Sequence, residues 1–241
     1  MDRRQLLALG ASAVLWRRSA EAAQAGTTPC VNAPGTVQPE QQRYVDGITA
    51  AENDRERGLA GYSSVETYIV YRRGSHDPAA KREVKVEYTR GKGKTHKEIS
   101  REGSTIIQGR LLDKLISEQL LASKPGNREK ALLTVDNYQM RLVCPEPWGG
   151  RPCAKIILTP RTKNKYVLDG FVQIDLNTYH LVHVDGTLVQ RPSFWASNPR
   201  LIRDYSDQKG FFLANHVTST AGSLLLGETQ VEITYTYNSI G

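Results

Sequence analysis

The sequence lacks the short motifs by which much catalytic chemistry can be read from a chain. There is no Gly-rich phosphate loop opening a helix, no Cys-x-x-Cys pair and no Gly-x-Ser-x-Gly, which removes the P-loop, thioredoxin-type and nucleophile-elbow readings. No apolar run approaches the roughly 20 residues that cross a bilayer, so a multi-span membrane protein is excluded. No repeat of fixed period and no low-complexity tract occurs, which excludes a solenoid or a fibrous chain. Cysteine is scarce: Cys30, Cys144 and Cys153 are the three, and with no histidine at ligand spacing they give no zinc site and no other metal or cofactor site. Charge of one sign is in modest excess, +7 overall, but the Lys and Arg are scattered and no basic stripe alternates with aromatics, so nucleic acid is not an expected partner.

What is present is an ordinary globular composition, 39% hydrophobic and 24% charged over 241 residues, enough for one large domain with a core. The first residues stand apart. Arg3 and Arg4 precede a short apolar stretch, Leu6 to Trp16, and Ala23-Gln24-Ala25 has the small-x-small pattern of a cleavage site, so residues 1–25 read as an export signal. Arg3-Arg4-Gln5-Leu6-Leu7 further resembles a twin-arginine signal, which places the mature protein in the periplasm. An uncleaved anchor is disfavoured because the apolar stretch is too short to span, and no stable membrane span is expected after cleavage. Without residues 1–25 the chain loses four Arg and two acids, leaving a net charge of +5. Residues 26–38, rich in Pro, Gly and Thr, read as a flexible arm that carries Cys30, and residues 39–241 as one domain.

Export permits disulfides. Cys144 and Cys153 flank CPEPWGGRPC between the apolar runs RLVC and CAKIIL, which predicts a hairpin whose arms bring the two sulfurs together in a disulfide. Such a bridge would stabilise by about 2–3 kcal/mol.

Hydrophobic period sorts the rest of the chain. Pro39 to Gly58 carries Tyr44, Ile48, Ala51 and Arg55 at helical spacing and predicts one amphipathic helix. Tyr62 to Arg72 then switches to period two, with Thr67, Ile69 and Tyr71 on one side; Val84, Val86 and Tyr88 repeat the pattern, and GKTHKEISRE makes a third, polar strand. From Gly109 to Leu121 the pattern breaks into a second helix whose apolar face, Leu111, Leu112, Leu115, Ile116, Leu120 and Leu121, must be covered. Beyond Leu132, KYVLDGFVQID, TYHLVHVDGTLVQ, PSFW, RLIRDYSD, GFFLANHVTST and LLLGETQVEITYTY alternate between Gly, Asp, Asn and Pro breaks. Two helices and about ten strands predict an α+β, mostly β fold: one large curved antiparallel sheet with helices on one face, because so many sequential strands curl rather than stay flat.

Catalytic equipment is sparse. On a strand His183 and Asp185 share a face while His180 points away, which breaks the one metal-like cluster. Ser193 reads as a turn serine, and Asp169 and Asp175 sit at strand ends where Asp starts turns. No catalytic residue is assigned; a hydrolase would need His183 or His216 within reach of Ser, Asp or a metal in a cleft. The apolar inventory says more. Phe194-Trp195, Phe211-Phe212 and Leu224-Leu225-Leu226 put bulky groups on consecutive positions, so some face away from the core and can line a second apolar surface.

The ordered set Tyr166-Val167-Leu168-Asp169-Gly170-Phe171-Val172-Gln173-Ile174-Asp175, Leu181-Val182-His183-Val184-Asp185-Gly186, Pro192-Ser193-Phe194-Trp195, Arg203-Asp204-Tyr205 and Gly210-Phe211-Phe212-Leu213 resembles the LolA-like superfamily of bacterial outer-membrane lipoprotein-sorting proteins. The likeness covers about Lys155 to Tyr237, and the front half follows in element order. It implies an incomplete β-barrel whose concave face is covered by helices, over residues 39–241, with a hollow that holds lipoprotein acyl chains or, in relatives, acts as a lipid or protein sensor; it carries no catalytic residues. The expected function is an exported, non-enzymatic protein that binds an acyl chain or other apolar ligand, with Leu111, Leu115, Phe194, Trp195, Phe211 and Phe212 lining the hollow. The alternative is an envelope module that recognises a protein partner and fills the hollow with its own side chains. The basic charge and the Cys144–Cys153 hairpin depart from the lipoprotein carrier itself.

Overall fold

The computed structural model describes residues 39–223 and 227–241; the expected export signal, the arm with Cys30 and the Leu224–Leu226 triplet lie outside the described residues. Helix α1 (Pro39–Gly58) leads into β1 (Gly61–Arg72), β2 (Ala80–Thr89) and β3 (Gly93–Gly103). A helical run follows: α2 (Thr105–Ile107), a π turn (Gln108–Leu112) and α3 (Asp113–Ala122), then a 3-10 turn (Glu129–Ala131). The chain ends in a meander of β4 (Tyr138–Pro145), β5 (Cys153–Pro160), β6 (Leu168–Asp175), β7 (Leu181–Leu188), β8 (Arg200–Gln208), β9 (Phe211–Ser223) and β10 (Gly227–Ile240). The predicted PSFW segment is a turn between β7 and β8 rather than a strand.

All ten strands form one antiparallel sheet in the order β3-β2-β1-β10-β9-β8-β7-β6-β5-β4. The single long-range join is β1 with β10, fastened at one end by the Ala60 and Gly61 amides on the Gly241 carbonyl at 2.7 and 2.9 Å. β3 and β4 stay as edges, so the barrel is incomplete. The β3 edge is guarded by charge, with Lys97, Glu98 and Arg101 exposed along it. Five register shifts, at Ser63/Ser64, Glu83/Val84, Leu142/Cys144, Gln173/Ile174 and Asp204/Tyr205, add local bend and twist and coil the sheet. Where Gly170 faces Gly186 between β6 and β7, a Cβ on Gly170 would stand 2.2 Å from the Asp185 carbonyl oxygen, so the strands approach there only because both positions are glycine.

One face of the sheet is concave and carries the core. On β2 the expected set, Val84, Val86 and Tyr88, points inward. On β1 the alternation holds, and the inward set is the other side of the strand: Ser64, Glu66, Tyr68 and Val70 are buried, while Thr67, Ile69 and Tyr71 are half-exposed. Register decides it, because Glu66 pairs with Val84 and Ser64 with Val86, so the even-numbered residues of β1 share the face of the β2 valines.

The helices cover this face. α1 buries Ile48 against Tyr138, Ile156, Leu158 and Val172. At Gly47 the Tyr179 ring lies so close that a Cβ would be 2.6 Å from it, and Arg43 Nε donates to the Tyr179 hydroxyl at 2.9 Å. The second helical run buries Ile107, Leu111, Leu112 and Ile116 against Tyr68, Val84, Val217 and Val231. Each such side chain contributes about 1.5–3 kcal/mol when fully buried. Leu121, expected on the same face, is 47% exposed. Helical spacing supplies the reason: α3 is regular from Asp113, and five residues at 3.6 per turn put Leu121 about 140° round the axis from buried Ile116.

A polar clamp holds the run in place. Arg82, 3% exposed on β2, donates through Nε to Gln108 Oε1 at 2.8 Å and pairs with Asp113; Gln108 Nε2 donates to the Lys81 and Glu102 carbonyls at 2.8 and 2.6 Å.

The expected Cys144–Cys153 disulfide is not formed. Cys153 is a free, buried thiol, and Cys144 is disulfide-bonded but not to it. Cys144 lies opposite Lys155, while Cys153 lies opposite Glu146 through the hydrogen bond of the Glu146 amide to its carbonyl at 2.8 Å. The two cysteines are therefore diagonal neighbours, and the roughly 7–8 Å that separates such positions exceeds the reach of a disulfide. Burial pushes the Cys153 thiol pKa up, which keeps it protonated at neutral pH.

In urea unfolding, Arg82→Met should cost about 2–3 kcal/mol by leaving the buried Gln108 oxygen unsatisfied. Gln108→Leu should cost a similar amount, and the double substitution less than the sum; additive effects would show that the clamp is not one unit.

Candidate functional site

Between the concave face, α1 and α3 lies a hollow of about 380 Å³. That falls in the range of about 300–1,000 Å³ usual for small-molecule sites. Its walls are largely apolar: Ile48 from α1, Leu115 from α3, Leu133 from the following loop, and Val172, Val217 and Ile233 from the sheet. Of the six residues expected to line it, Leu115, Phe194, Trp195 and Phe212 do so. Leu111 does not: it is buried in the packed cluster with Ile107 and Val84. Phe211 does not either: it packs with Leu59, Tyr88 and Leu213 at the end of the sheet and meets Gly58 of α1.

Five Lys and Arg side chains also line the hollow, a feature sequence period alone missed. Four are neutralised in place. Arg55 pairs with Glu52 at 2.7 Å and Glu56 at 3.1 Å, and Arg128 reaches Glu56 from the far side at 2.5 Å. Lys165 pairs with Glu118 at 2.6 Å. Lys94 meets Glu66, 1% exposed, at 2.7 Å, and the same carboxylate accepts from the Tyr68 hydroxyl at 2.5 Å. Burial works against the Lys94 charge, but the Glu66 carboxylate outweighs it and its pKa is raised. Among the described residues the fifth cation, Arg203, has only the Tyr205 hydroxyl, at 3.4 Å, and its buried Nε has no partner.

A tyrosine group surrounds that end. Tyr138, Tyr205, Tyr235 and Tyr237 all line the hollow. Burial pushes the Tyr138 pKa up to about 12 and those of Tyr235 and Tyr237 higher still, so none of these three ionises near neutral pH. The TYTY run of β10 and the order Leu201-x-Arg203-x-Tyr205 on β8 were the available signals: a charged or hydroxyl-bearing side chain in phase with core positions.

The histidines separate, His180 just before β7 and His183 within it. His180 lines the hollow, stacked on Phe212 at 4.7 Å. His183 lies on the other face, opposite Asp204, with Nδ1 2.6 Å from the carboxylate and the Trp148 indole 3.9 Å above its ring. This histidine and carboxylate are in hydrogen-bond reach, but they sit beneath an indole rather than in the hollow, and His216 lies across from the same Asp204 on β9. Ser193 is an exposed turn residue. Asp175 takes the Asn177 and Thr178 amides at 2.8 and 3.1 Å, the turn role its position indicated. Among the described residues no cluster of His, Cys, Asp and Glu could hold a metal ion, and no helix is long and apolar enough to cross a membrane.

No family model matches the sequence, and no curated protein is similar to it. Solved structures are similar in chain course. A LolA superfamily protein from Nitrosomonas europaea shares 6% identity and a TM-score of 0.44 over 80% of this chain and 91% of its own. An outer membrane lipoprotein-sorting protein domain from Vibrio parahaemolyticus shares 13% identity and a TM-score of 0.46 over 80% and 91%. A DUF1329 family protein from Desulfovibrio piger ATCC 29098 shares 14% and 0.42 over 82% and 92%.

Proposed function

We propose that this chain is an exported, non-enzymatic binding protein of the bacterial periplasm that holds an acyl chain or another apolar ligand in the hollow of its curved sheet. One observation carries the reading: the space between the sheet and its covering helices is not filled by side chains of the described residues, and its walls are mainly apolar. Four of the five cations there are already paired, so most of the lining presents little net charge to a guest. The finer form, carriage of lipoproteins toward the outer membrane, rests on the resemblance of the C-terminal strands to lipoprotein-sorting proteins and on the export signal read at residues 1–25. A self-filled interaction module would need a packed interior, and the open hollow speaks against it.

Native mass spectrometry of protein isolated from a cell envelope should show a lipid adduct, and stripped protein should take up a fluorescent fatty acid. Ala51→Trp, which puts an indole into the hollow from α1 without touching the sheet, should weaken that uptake at least tenfold. Lipid-free protein with no uptake would overturn the proposal.

The hollow also sets a pH dependence. Burial, then the nearby Arg55 charge, lowers the His180 pKa below its usual 6.5, so the folded protein binds this proton less readily than the unfolded chain. That contribution to stability is present above about pH 6.5 and is lost as pH falls through the lowered folded value. Melting temperatures measured from pH 7.5 to 5 should fall less steeply for His180→Gln than for the wild type; equal slopes would contradict the assignment.

A further inference from the structure

The unpaired cation in the hollow says what kind of guest fits. Arg203 lies mid-strand on β8, flanked in register by Val184 on β7 and Val217 on β9 and followed on its own face by Tyr205. Its guanidinium has five N–H donors. One is used, weakly, by the Tyr205 oxygen at 3.4 Å, and the Nε–H has no acceptor. No carboxylate among the described residues pairs with it, although Arg55, Lys94, Arg128 and Lys165 in the same hollow each have one. Its neighbours are tyrosines that remain neutral: the Tyr237 hydroxyl donates to the Ala214 carbonyl at 2.8 Å, and the Tyr138 hydroxyl accepts from the Leu168 amide at 3.3 Å. Among the described residues the Tyr205 hydroxyl accepts from Arg203 and has no acceptor for its own O–H.

A guanidinium whose Nε–H is buried without an acceptor, and which has no counter-charge among the described residues, is unfavourable, and a fold that neutralises four cations in one hollow has the means to neutralise a fifth. The planar fork of an arginine matches carboxylate and phosphate oxygens two at a time, and such charge-assisted bonds are about twice as strong as neutral ones. We propose that Arg203, with the Tyr205 hydroxyl, is the head-group anchor of the hollow, so that the guest is an anionic amphiphile whose carboxylate or phosphate sits on Arg203 and whose chain runs along the apolar wall. This rests on the acyl-binding reading and narrows it. The guest supplies the missing counter-charge, and the apolar wall supplies the rest of the affinity.

Competition against a fluorescent fatty-acid probe tests this with three ligands of one chain length: palmitate, hexadecyl phosphate and methyl palmitate. Wild-type protein should bind at least one of the two anions tenfold or more tighter than the ester, and the tighter anion names the source, a fatty carboxylate or a lipid phosphate. In Arg203→Met the preferred anion should fall to the level of the ester, with the affinity for the ester unchanged; Arg203→Lys should keep part of the preference. Without ligand, Arg203→Met should melt at or above the wild-type temperature, since it removes a charge that lacked a partner. Equal binding of ester and anions by the wild type would overturn the anchor and leave the acyl-binding reading standing, and that comparison needs no variant. An anion preference that survives in Arg203→Met would assign the head group to another residue and overturn the anchor. Failure of all three ligands to compete would overturn both.

Discussion

An antiparallel sheet of ten strands that coils but does not close leaves a concave face that it cannot bury against itself, and the rest of the molecule answers that constraint. The five register shifts set the coil, the paired glycines Gly170 and Gly186 let β6 and β7 approach, and β10 returns to β1 so that the first and last strands meet inside the sheet rather than at its edges. Covering falls to α1 and to the run from α2 to α3. Two helical covers on so wide a surface pack against its flanks, where Ile48 on one side and Leu111, Leu112 and Ile116 on the other are fully enclosed. Between the flanks they leave the hollow.

The polar groups of the concave face follow from the same geometry. Glu66 and Arg82 point inward because register puts them there, and each is met by a partner from another element: Lys94 from β3, Gln108 and Asp113 from the helical run. Pairing of this kind keeps a buried charge tolerable, and it fixes where a strand or helix can sit. Arg55 with Glu52 and Glu56, and Arg128 with Glu56, tie α1 to the loop after α3 in the same way. Arg203 is the exception within the hollow, and its place among neutral tyrosines turns a structural oddity into a chemical preference for an anionic guest.

Much of the fold was legible in the sequence because period and turn residues are local signals. The α1 boundaries, the three front strands and the order of the C-terminal meander follow from spacing and from Gly, Pro and Asp breaks. What was not legible depended on non-local register. The buried face of β1 is chosen by its pairing with β2, not by the apolarity of Thr67, Ile69 and Tyr71. Which apolar side chains of the second helical run meet the hollow is set by packing against the sheet, so Leu121 is exposed and Leu111 lies in the flank cluster. The offset between Cys144 and Cys153 is set by the hairpin register, which places Cys144 opposite Lys155; without the shift at Leu142/Cys144 it would face Ala154 and still miss Cys153. Of the doubled aromatics, Phe194, Trp195 and Phe212 stand on the wall of the hollow, since consecutive bulky residues serve two surfaces. They could not locate Arg203, whose meaning depends on the absence of a partner that only the fold can reveal.

The central claim is that the hollow exists to hold a guest. A crystal structure of the protein as isolated from a cell envelope tests it most directly. The account predicts continuous elongated density along the apolar wall between α3 and the sheet, ending at Arg203; a closed interior in which α1 and α3 have settled onto the sheet would contradict it.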